Sequence, residues 1–448
     1  MSNSKGSVSF YTLGCKVNQY ETQMLKEKFS AAGYTVVGEE EFADIYVINT
    51  CTVTNLSDRK SRQHVRRLKK INPDALIAVT GCYAQTDSEA VAAIEGVSIV
   101  AGTNAKNHLV EYVDEYIEKN GKDSGKVDSH IFPYEKLDVY EETGIITSME
   151  SRTRAFIKVQ EGCDRFCAYC IIPYARGKVR SRGLEDILAE ARSLVDGGFK
   201  ELVLTGINTA LYGVDFEENK GQSGIEGLIA AISDIEGDFR IRLSSLEPNV
   251  VDVATARALA KYPKLCHHMH LSIQSGSDTV LKRMSRRYDT EQYLEIARTL
   301  KDSDANYAIT TDIIVGFPGE TAEEFAQTLD MVRKAGFAKV HAFRYSKRSG
   351  TRAAEMPDQV DSVTAARRSE ALIELAAFET QAFFEKNRGT TRRVLFERIT
   401  EDGLIEGYTD NYIKVYVKHD EAREYLDSFA DVRLDAVYKD GMRGSIVL

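Results

Sequence analysis

Residues 155–170 read AFIKVQEGCDRFCAYC. Ala155–Gln160 has the apolar and polar pattern of a β-strand. It runs through Glu161-Gly162 straight into Cys163, Cys167 and Cys170, spaced C-x3-C-x2-C. A zinc site normally takes four ligands in C-x2-C pairs, and neither a fourth cysteine nor a suitably spaced histidine follows nearby. Three close thiolates suit a four-iron cubane and leave one iron without a protein ligand. An open metal position is what separates catalytic from structural sites.

Downstream, strand-like runs alternate with helical ones. The strands continue as KELVLTG (200–206), FRIRLSS (239–245), HHMHLSI (267–273), YAITTDIIVG (307–316) and KVHAFRY (339–345). Helical patterns at 185–198, 252–262, 290–302 and 322–336 fall between them. Such a series predicts a partial (β/α)6 barrel, with function in the loops after the strands. A long helix from Ser362 to about Asn387 follows. The short β-rich runs after it (391–399, 404–409, 412–418, 432–439, 444–448) predict a small closed β-barrel.

Upstream, SFYTLG (9–14), DIYVINT (44–50) and ALIAVTG (75–81) alternate with helices at 21–33 and 57–70. This is the pattern of an open parallel α/β sheet. Each strand ends on a cysteine: Cys15, Cys51 and Cys82. Loops at the carboxyl ends of such strands form the ligand crevice, so three cysteines far apart in sequence are expected to converge. Free cysteine is also a common small buried residue. The fold class is therefore α/β, with expected domains at 1–118, 149–380 and 381–448 and a linker at 119–148. A chain of 448 residues needs several cores, since domains run roughly 100–200 residues.

No apolar run suits a signal peptide or a membrane span, so a cytoplasmic protein without membrane attachment is expected. Clustered cysteines there are metal ligands more often than disulfides. The net charge of −10 requires any RNA contact to be local. Candidate basic patches are Arg59–Lys70, Arg176–Arg182, Lys282–Arg287, and Arg388 with Arg392 and Arg393; each also reads as a solvated face.

The C-x3-C-x2-C run, with Tyr169 before its last cysteine, resembles the radical S-adenosylmethionine (SAM) superfamily. The wider EGCDRFCAYCIIPYARGKVRSR (161–182), joined to a three-cysteine sheet domain and a β-rich tail, resembles the methylthiotransferases over essentially the whole chain. TLGCKVNQYET (12–22) looks most like the members that act on N6-threonylcarbamoyladenosine at position 37 of tRNA. Neighbouring subfamilies act on N6-isopentenyladenosine or on a ribosomal protein aspartate.

The resemblance implies two [4Fe-4S] clusters, on Cys15/Cys51/Cys82 and Cys163/Cys167/Cys170, with SAM chelating the open iron of the second. One SAM would methylate a sulfur carried by the first, and another would yield the radical that takes hydrogen from adenine C2. It also implies a TRAM-type RNA-binding tail, the tRNA anticodon stem-loop as partner, a low-potential reductant and a sulfur donor. A relay of electrons through the N-terminal cluster, which would need a closed set of ligands, is the rival enzymatic reading. A non-enzymatic RNA-binding metalloprotein is the other.

Tyr169 beside the adenine, and Gly206 and Asn208 after the second strand, are expected to meet SAM. So are Ser272 and Gln274 on the fourth strand, Asp312 and Gly316 on the fifth, and Arg180 and Arg182. Arg176 is a further candidate for the SAM carboxylate or for phosphate. Glu247 ends the third strand. Cys266, His267, His268 and His270 invite a metal reading, yet alternation sends neighbours to opposite faces. Tyr408, Tyr412 and Tyr416 beside Arg392 and Arg393 combine aromatic and basic character as RNA-binding barrels do.

Overall fold

A computed structural model describes residues 4–447 apart from 53–54, 123–124, 143 and 150–152. The Arg59 and Lys60 side chains of the first basic patch lie outside the described residues. The N-terminal sheet contains β1 (Ser7–Thr12), β2 (Thr35–Val37), β3 (Ile45–Thr50), β4 (Leu76–Gly81), β5 (Ile99–Ala101) and β6 (Asp128–His130), all parallel, in the order β2-β1-β3-β4-β5-β6. Helices α1 (Lys16–Ala31), α2 (Asn55–Ile71) and α3 (Cys82–Thr86) follow β1, β3 and β4.

Strand alternation divides the central strands between two cores. Ile45, Val47, Leu76 and Ala78 pack with Tyr20, Leu25 and Phe29 of α1. Tyr46, Ile48, Ile77 and Val79 pack with Val65 and Leu68 of α2 on the other face. Full burial of each such side chain contributes roughly 1.5–3 kcal/mol, which is why strands covered on both faces are apolar throughout.

The expected linker, 119–148, is part of this domain's architecture. Asp128–His130 forms its sixth strand, tied by Asp128 N–H to Ser98 O and by Gly102 N–H to His130 O, both 2.9 Å. The preceding helix, Leu109–Asn120, runs past the expected boundary. A three-residue polar strand, held by these backbone bonds and by His130 stacked on Tyr112, leaves no periodicity to read.

The central domain is a partial barrel. Its strands are β7 (Arg154–Lys158), β10 (Glu201–Thr205), β11 (Arg240–Leu243), β12 (Ser245–Leu246), β13 (His268–Leu271), β14 (Ala308–Val315) and β15 (Lys339–Arg344). A short antiparallel pair, β8 (Gln160–Glu161) with β9 (Arg180–Ser181), extends the first strand. Sheets β11-β10-β7 and β12-β13-β14-β15 are parallel and joined by a bridge between Ile241 and Leu265. Ile157, Leu204, Ile241, Leu271 and Ile309 face the outer helices in the main core. Alternate residues face a lumen of mixed character, where His268, His270, Thr310, Asp312 and His341 meet apolar groups such as Phe343, Phe383 and Phe384.

The tail forms a closed barrel of β16 (Thr391–Ile399), β17 (Leu404–Thr409), β18 (Lys414–Lys418), β19 (Phe429–Tyr438) and β20 (Gly441–Ile446), in the order β16-β17-β18-β20-β19. It plugs the base of the larger barrel. Arg240 donates to Tyr408 O (3.0 Å) and Arg242 to Thr409 O and Asp410 O (3.2 and 3.1 Å). Arg392 pairs with Asp304 at 2.8 Å, and the Tyr412 ring stacks 4.2 Å from the Arg242 guanidinium. Arg392, Tyr408 and Tyr412 thus anchor the tail, which corrects their reading as an RNA surface. No helix among the described residues is long and apolar enough to cross a membrane.

Candidate functional site

Cys15, Cys51 and Cys82 follow β1, β3 and β4, three adjacent strands, and so meet at one sheet edge. Two glycines permit the approach. Gly14 has φ 110°, and a Cβ there would lie 2.7 Å from Cys51 Cβ; Gly81 has φ 98°, and a Cβ there would lie 2.4 Å from Thr50 O. Asn18, one turn into α1, staples the loops by donating to Leu13 O (2.6 Å) and Thr50 O (2.9 Å). Cys15 is exposed, whereas Cys51 and Cys82 are buried.

The second set sits on one loop. Gly162 (φ 71°) brings the chain so close to its return that a Cβ would lie 1.8 Å from Lys178 O. Cys163 N–H donates to Gly177 O (3.0 Å), and Cys170 N–H to Cys167 O (2.9 Å). Ala168 between them is clamped by Met284 O (2.9 Å) and Ala353 N–H (2.8 Å). Tyr169 packs edge-on against Phe317.

Each set carries one buried arginine on a sulfur. Arg176 Nε donates to Cys82 Sγ and Arg286 Nη1 to Cys167 Sγ, both at 3.1 Å. Burial pushes the Cys82 thiol up against the pull of Arg176, and pushes Cys170 up to about 12. Buried thiols of this kind ionise when a cation compensates them, which suits metal ligation. Arg176 ends the helix Ile172–Arg176, which begins directly after the second set. The helix is five residues long, so at ~1.5 Å each it carries the chain only roughly 7.5 Å from the second set to Arg176. The two sets are therefore neighbours, and Cys82 is among the charges acting on Cys170.

Around Arg176 lies a buried network. Its guanidinium also donates to Glu21 (2.6 Å), Glu161 (2.9 Å) and Asn18 (2.6 Å). Lys158 bridges Glu21 and Glu161 at 3.1 and 2.6 Å, and Lys106 pairs with Glu21. Burial pushes the Glu161 carboxyl up, but Arg176 and Lys158 outweigh it and hold it at about 2. This corrects Arg176 as a SAM or phosphate ligand: it fastens the sheet domain to the barrel.

Arg182 is likewise corrected. Glu142 accepts from its Nε and Nη2 at 2.8 Å, Glu190 and Tyr20 from its Nη1, and Gly144 O from its Nη2 at 3.3 Å, so no donor remains for SAM. Arg180 is buried and donates to Asn104 (3.2 Å) and Arg176 O (2.6 Å). The close approach at Gly206 is to Gln160, whose Oε1 lies 2.9 Å from a built Cβ. At Gly316 (φ 73°) it is to Ala365 of the long helix, at 2.9 Å.

Asn208, Ser272 and Asp312 are brought to the second set. Asn208 Nδ2 donates to Glu247 (2.9 Å), its Oδ1 is buried without a hydrogen-bond partner among the described residues, and Glu247 reaches Arg165 (3.2 Å) and Arg286 (3.4 Å). Arg286 also donates to Ser272 O at 3.2 Å. Ser272 Oγ meets His270 (3.1 Å) and Asp312 (3.3 Å). Gln274 has left-handed backbone (φ 69°) and ends the alternation of β13, its N–H on Asp312 O at 2.9 Å. His268 and His270 face the lumen, while His267 pairs with Asp304 at 2.7 Å toward the tail. Arg286 carried no signal of its own within KRMSRR, a run that reads as a surface patch.

Comparison with known proteins adds to this geometry. Residues 157–332 match the radical SAM superfamily, 7–102 the uncharacterized protein family UPF0004, and 385–447 the TRAM domain. The chain is 44% identical to the threonylcarbamoyladenosine tRNA methylthiotransferase MtaB of Bacillus subtilis, over 93% of this chain and 91% of that protein. It is 39% identical to the MtaB of Aquifex aeolicus, over 91% and 96%. A tRNA-2-methylthio-N(6)-dimethylallyladenosine synthase from Finegoldia magna is 34% identical over 98% and 94%. Among solved structures, the radical SAM methyltransferase TsrM of Kitasatospora setae, with cobalamin and a [4Fe-4S] cluster bound, superimposes with a TM-score of 0.57 at 15% identity, covering 78% of this chain and 74% of that one. That similarity shows the fold.

Proposed function

The chain belongs to the methylthiotransferase family of radical SAM enzymes, and we propose that it converts N6-threonylcarbamoyladenosine at position 37 of tRNA to its 2-methylthio derivative. The observation that carries this reading is the short helix Ile172–Arg176, which leaves the second cysteine set and ends on the sulfur of Cys82 in the first. A base placed at that junction meets both sets at once.

In this proposal Cys15, Cys51 and Cys82 hold one [4Fe-4S] cluster and Cys163, Cys167 and Cys170 the other. The donor sets fit, since each offers three sulfurs, and the group on Cys82 is a guanidinium, which cannot supply the fourth ligand of a closed relay. Bound SAM and the clusters supply radical hydrogen abstraction and the methylated sulfur. The chain's own residues orient and enclose. Asn208 Oδ1 would accept from the ammonium of SAM, its side chain held in place by the bond from Nδ2 to Glu247. Tyr169 and Phe317 wall the second set from water, and Arg286 fixes both Cys167 and the backbone of Ser272. The tail, a TRAM domain, adds RNA affinity away from its anchored face, and the anticodon stem-loop enters from the open edge at β15. The enzyme works in the cytoplasm with a low-potential reductant and a sulfur donor.

Relatives named for threonylcarbamoyladenosine reach 44% identity, against 34–36% for dimethylallyladenosine synthases, and this favours the first substrate. The test is anaerobic reaction of the reconstituted protein with SAM, sulfide and reductant on tRNAs bearing either modification. Nucleoside mass spectrometry should show the methylthio product on the threonylcarbamoyl substrate. Product on the dimethylallyl substrate alone would overturn the assignment.

A further inference from the structure

The lumen of the partial barrel is a cavity of about 830 Å³ that runs from the tail's Tyr412 to Asp312, near the second cysteine set. One of its lining residues comes from neither of these two domains. Lys16 follows Cys15 directly, opens α1, and enters the lumen from the N-terminal sheet domain. It is half-buried, and among the described residues no carboxylate pairs with it. The carboxylates around this space already have partners. Glu201 pairs with Arg240 (2.6 Å) and Arg242 (2.8 Å), Asp312 with His270 (3.2 Å), and Asp440 with Lys414 (2.7 Å). A second lysine, Lys339, faces the same space from the edge strand β15 and also has no carboxylate partner among the described residues. The lumen therefore presents unbalanced positive charge, and an ammonium withdrawn from water favours an anionic partner.

We propose that Lys16 recognises the carboxylate that the threonylcarbamoyl group carries on N6 of the target adenine, and so selects that base over one bearing an uncharged N6 substituent. This rests on the function proposed above. C2 and C6 of adenine flank the same ring nitrogen, so a base whose C2 is presented to the two cysteine sets carries its N6 group close to them. Cys15 is the exposed member of its set, and Lys16 stands at its shoulder, directed into the lumen. A dimethylallyl group would leave this lysine unpaired. Specificity of this kind is strong, because a site built for a charge rejects the analogue that lacks it.

The test compares anticodon stem-loops carrying threonylcarbamoyladenosine, its carboxylate methyl ester, or dimethylallyladenosine, on the reconstituted enzyme and on Lys16→Gln and Lys16→Arg. The readouts are kcat/KM, KM for SAM, and iron and sulfide content. The unaltered enzyme should prefer the free carboxylate over the ester by about 100-fold, as expected for a desolvated charge pair. Lys16→Gln should handle acid and ester within a few-fold of each other, and Lys16→Arg should retain part of the preference. Because the acid-to-ester ratio is taken within one protein, damage to the adjacent Cys15 site cancels, and the iron content reports such damage separately. An undiminished ratio in Lys16→Gln, or no preference in the unaltered enzyme, overturns the proposal. So does a rise in KM for SAM with the ratio intact, which would give Lys16 to the methionyl carboxylate. If the unaltered enzyme cleaves SAM but modifies no threonylcarbamoyl substrate, it is the proposed function that fails.

Discussion

The two cysteine sets reach the same result by opposite routes. Cys163, Cys167 and Cys170 occupy one loop, held by its own backbone and clamped through Ala168. Cys15, Cys51 and Cys82 come from three strand ends and depend on the parallel sheet, on Gly14 and Gly81, and on the Asn18 staple. The first set does not rely wholly on its own domain either, since the arginine on Cys82 arrives from the barrel. A local motif fixes its geometry by spacing. A dispersed one must borrow rigidity from packing, and is expected to be the more fragile of the two.

The largest effects should separate the sets functionally. Cys167→Ala should abolish both 5′-deoxyadenosine formation and methylthio product, whereas Cys51→Ala should stop the product and leave SAM cleavage measurable. Retained methylthio product in Cys51→Ala would break the division of labour. Next comes Arg176→Met, which leaves Glu21 and Glu161 short of their main partner. Removing one side of a buried ion network costs roughly 3–5 kcal/mol, read by chemical denaturation, and iron should be lost from the first set only. Asn18→Ala removes the two hydrogen bonds to the Leu13 and Thr50 carbonyls and the one accepted from Arg176, and should cost about 1–3 kcal/mol. A matching loss of cluster from the second set would erase the contrast. The smallest structural change is Arg286→Lys, which keeps the charge and loses the fork. Hydrogen bonds to cluster sulfurs tune reduction potential; losing the one on Cys167 should shift the potential of the second cluster more negative in an EPR-monitored redox titration. Equal shifts in both clusters would contradict the one-to-one pairing of Arg176 and Arg286 with their sulfurs.

Much of this contrast was legible before any coordinates. The C-x3-C-x2-C spacing needs no fold to be read, and cysteines after 9–14, 44–50 and 75–81 announce convergence once those runs are strands. The partial barrel, the long helix Ser362–Asn387 and the β-rich tail follow from periodicity in the same way. Elements below the length at which periodicity speaks did not: β2, β5 and β6 are three residues each. Charged residues misled for a different reason. Arg176 and Arg182 look like ligand arginines until Glu21, Glu161, Glu142 and Glu190 are seen around them, and these partners come from several separate elements. Tyr412 and Arg392 read as an RNA face because nothing local reveals that this side of the tail is docked. Lys16 was hidden by its neighbour: beside Cys15 it passes as part of the motif, and only the lumen shows where it leads.

The most direct test of two separate three-cysteine sites is the paired replacement of each whole set by alanine, with iron, sulfide and 5′-deoxyadenosine measured on the reconstituted proteins. Replacing Cys15, Cys51 and Cys82 should leave half the iron, an intact EPR signal from the second cluster, continued SAM cleavage and no methylthio product. Full iron retention, or loss of SAM cleavage together with the first set, would contradict the account.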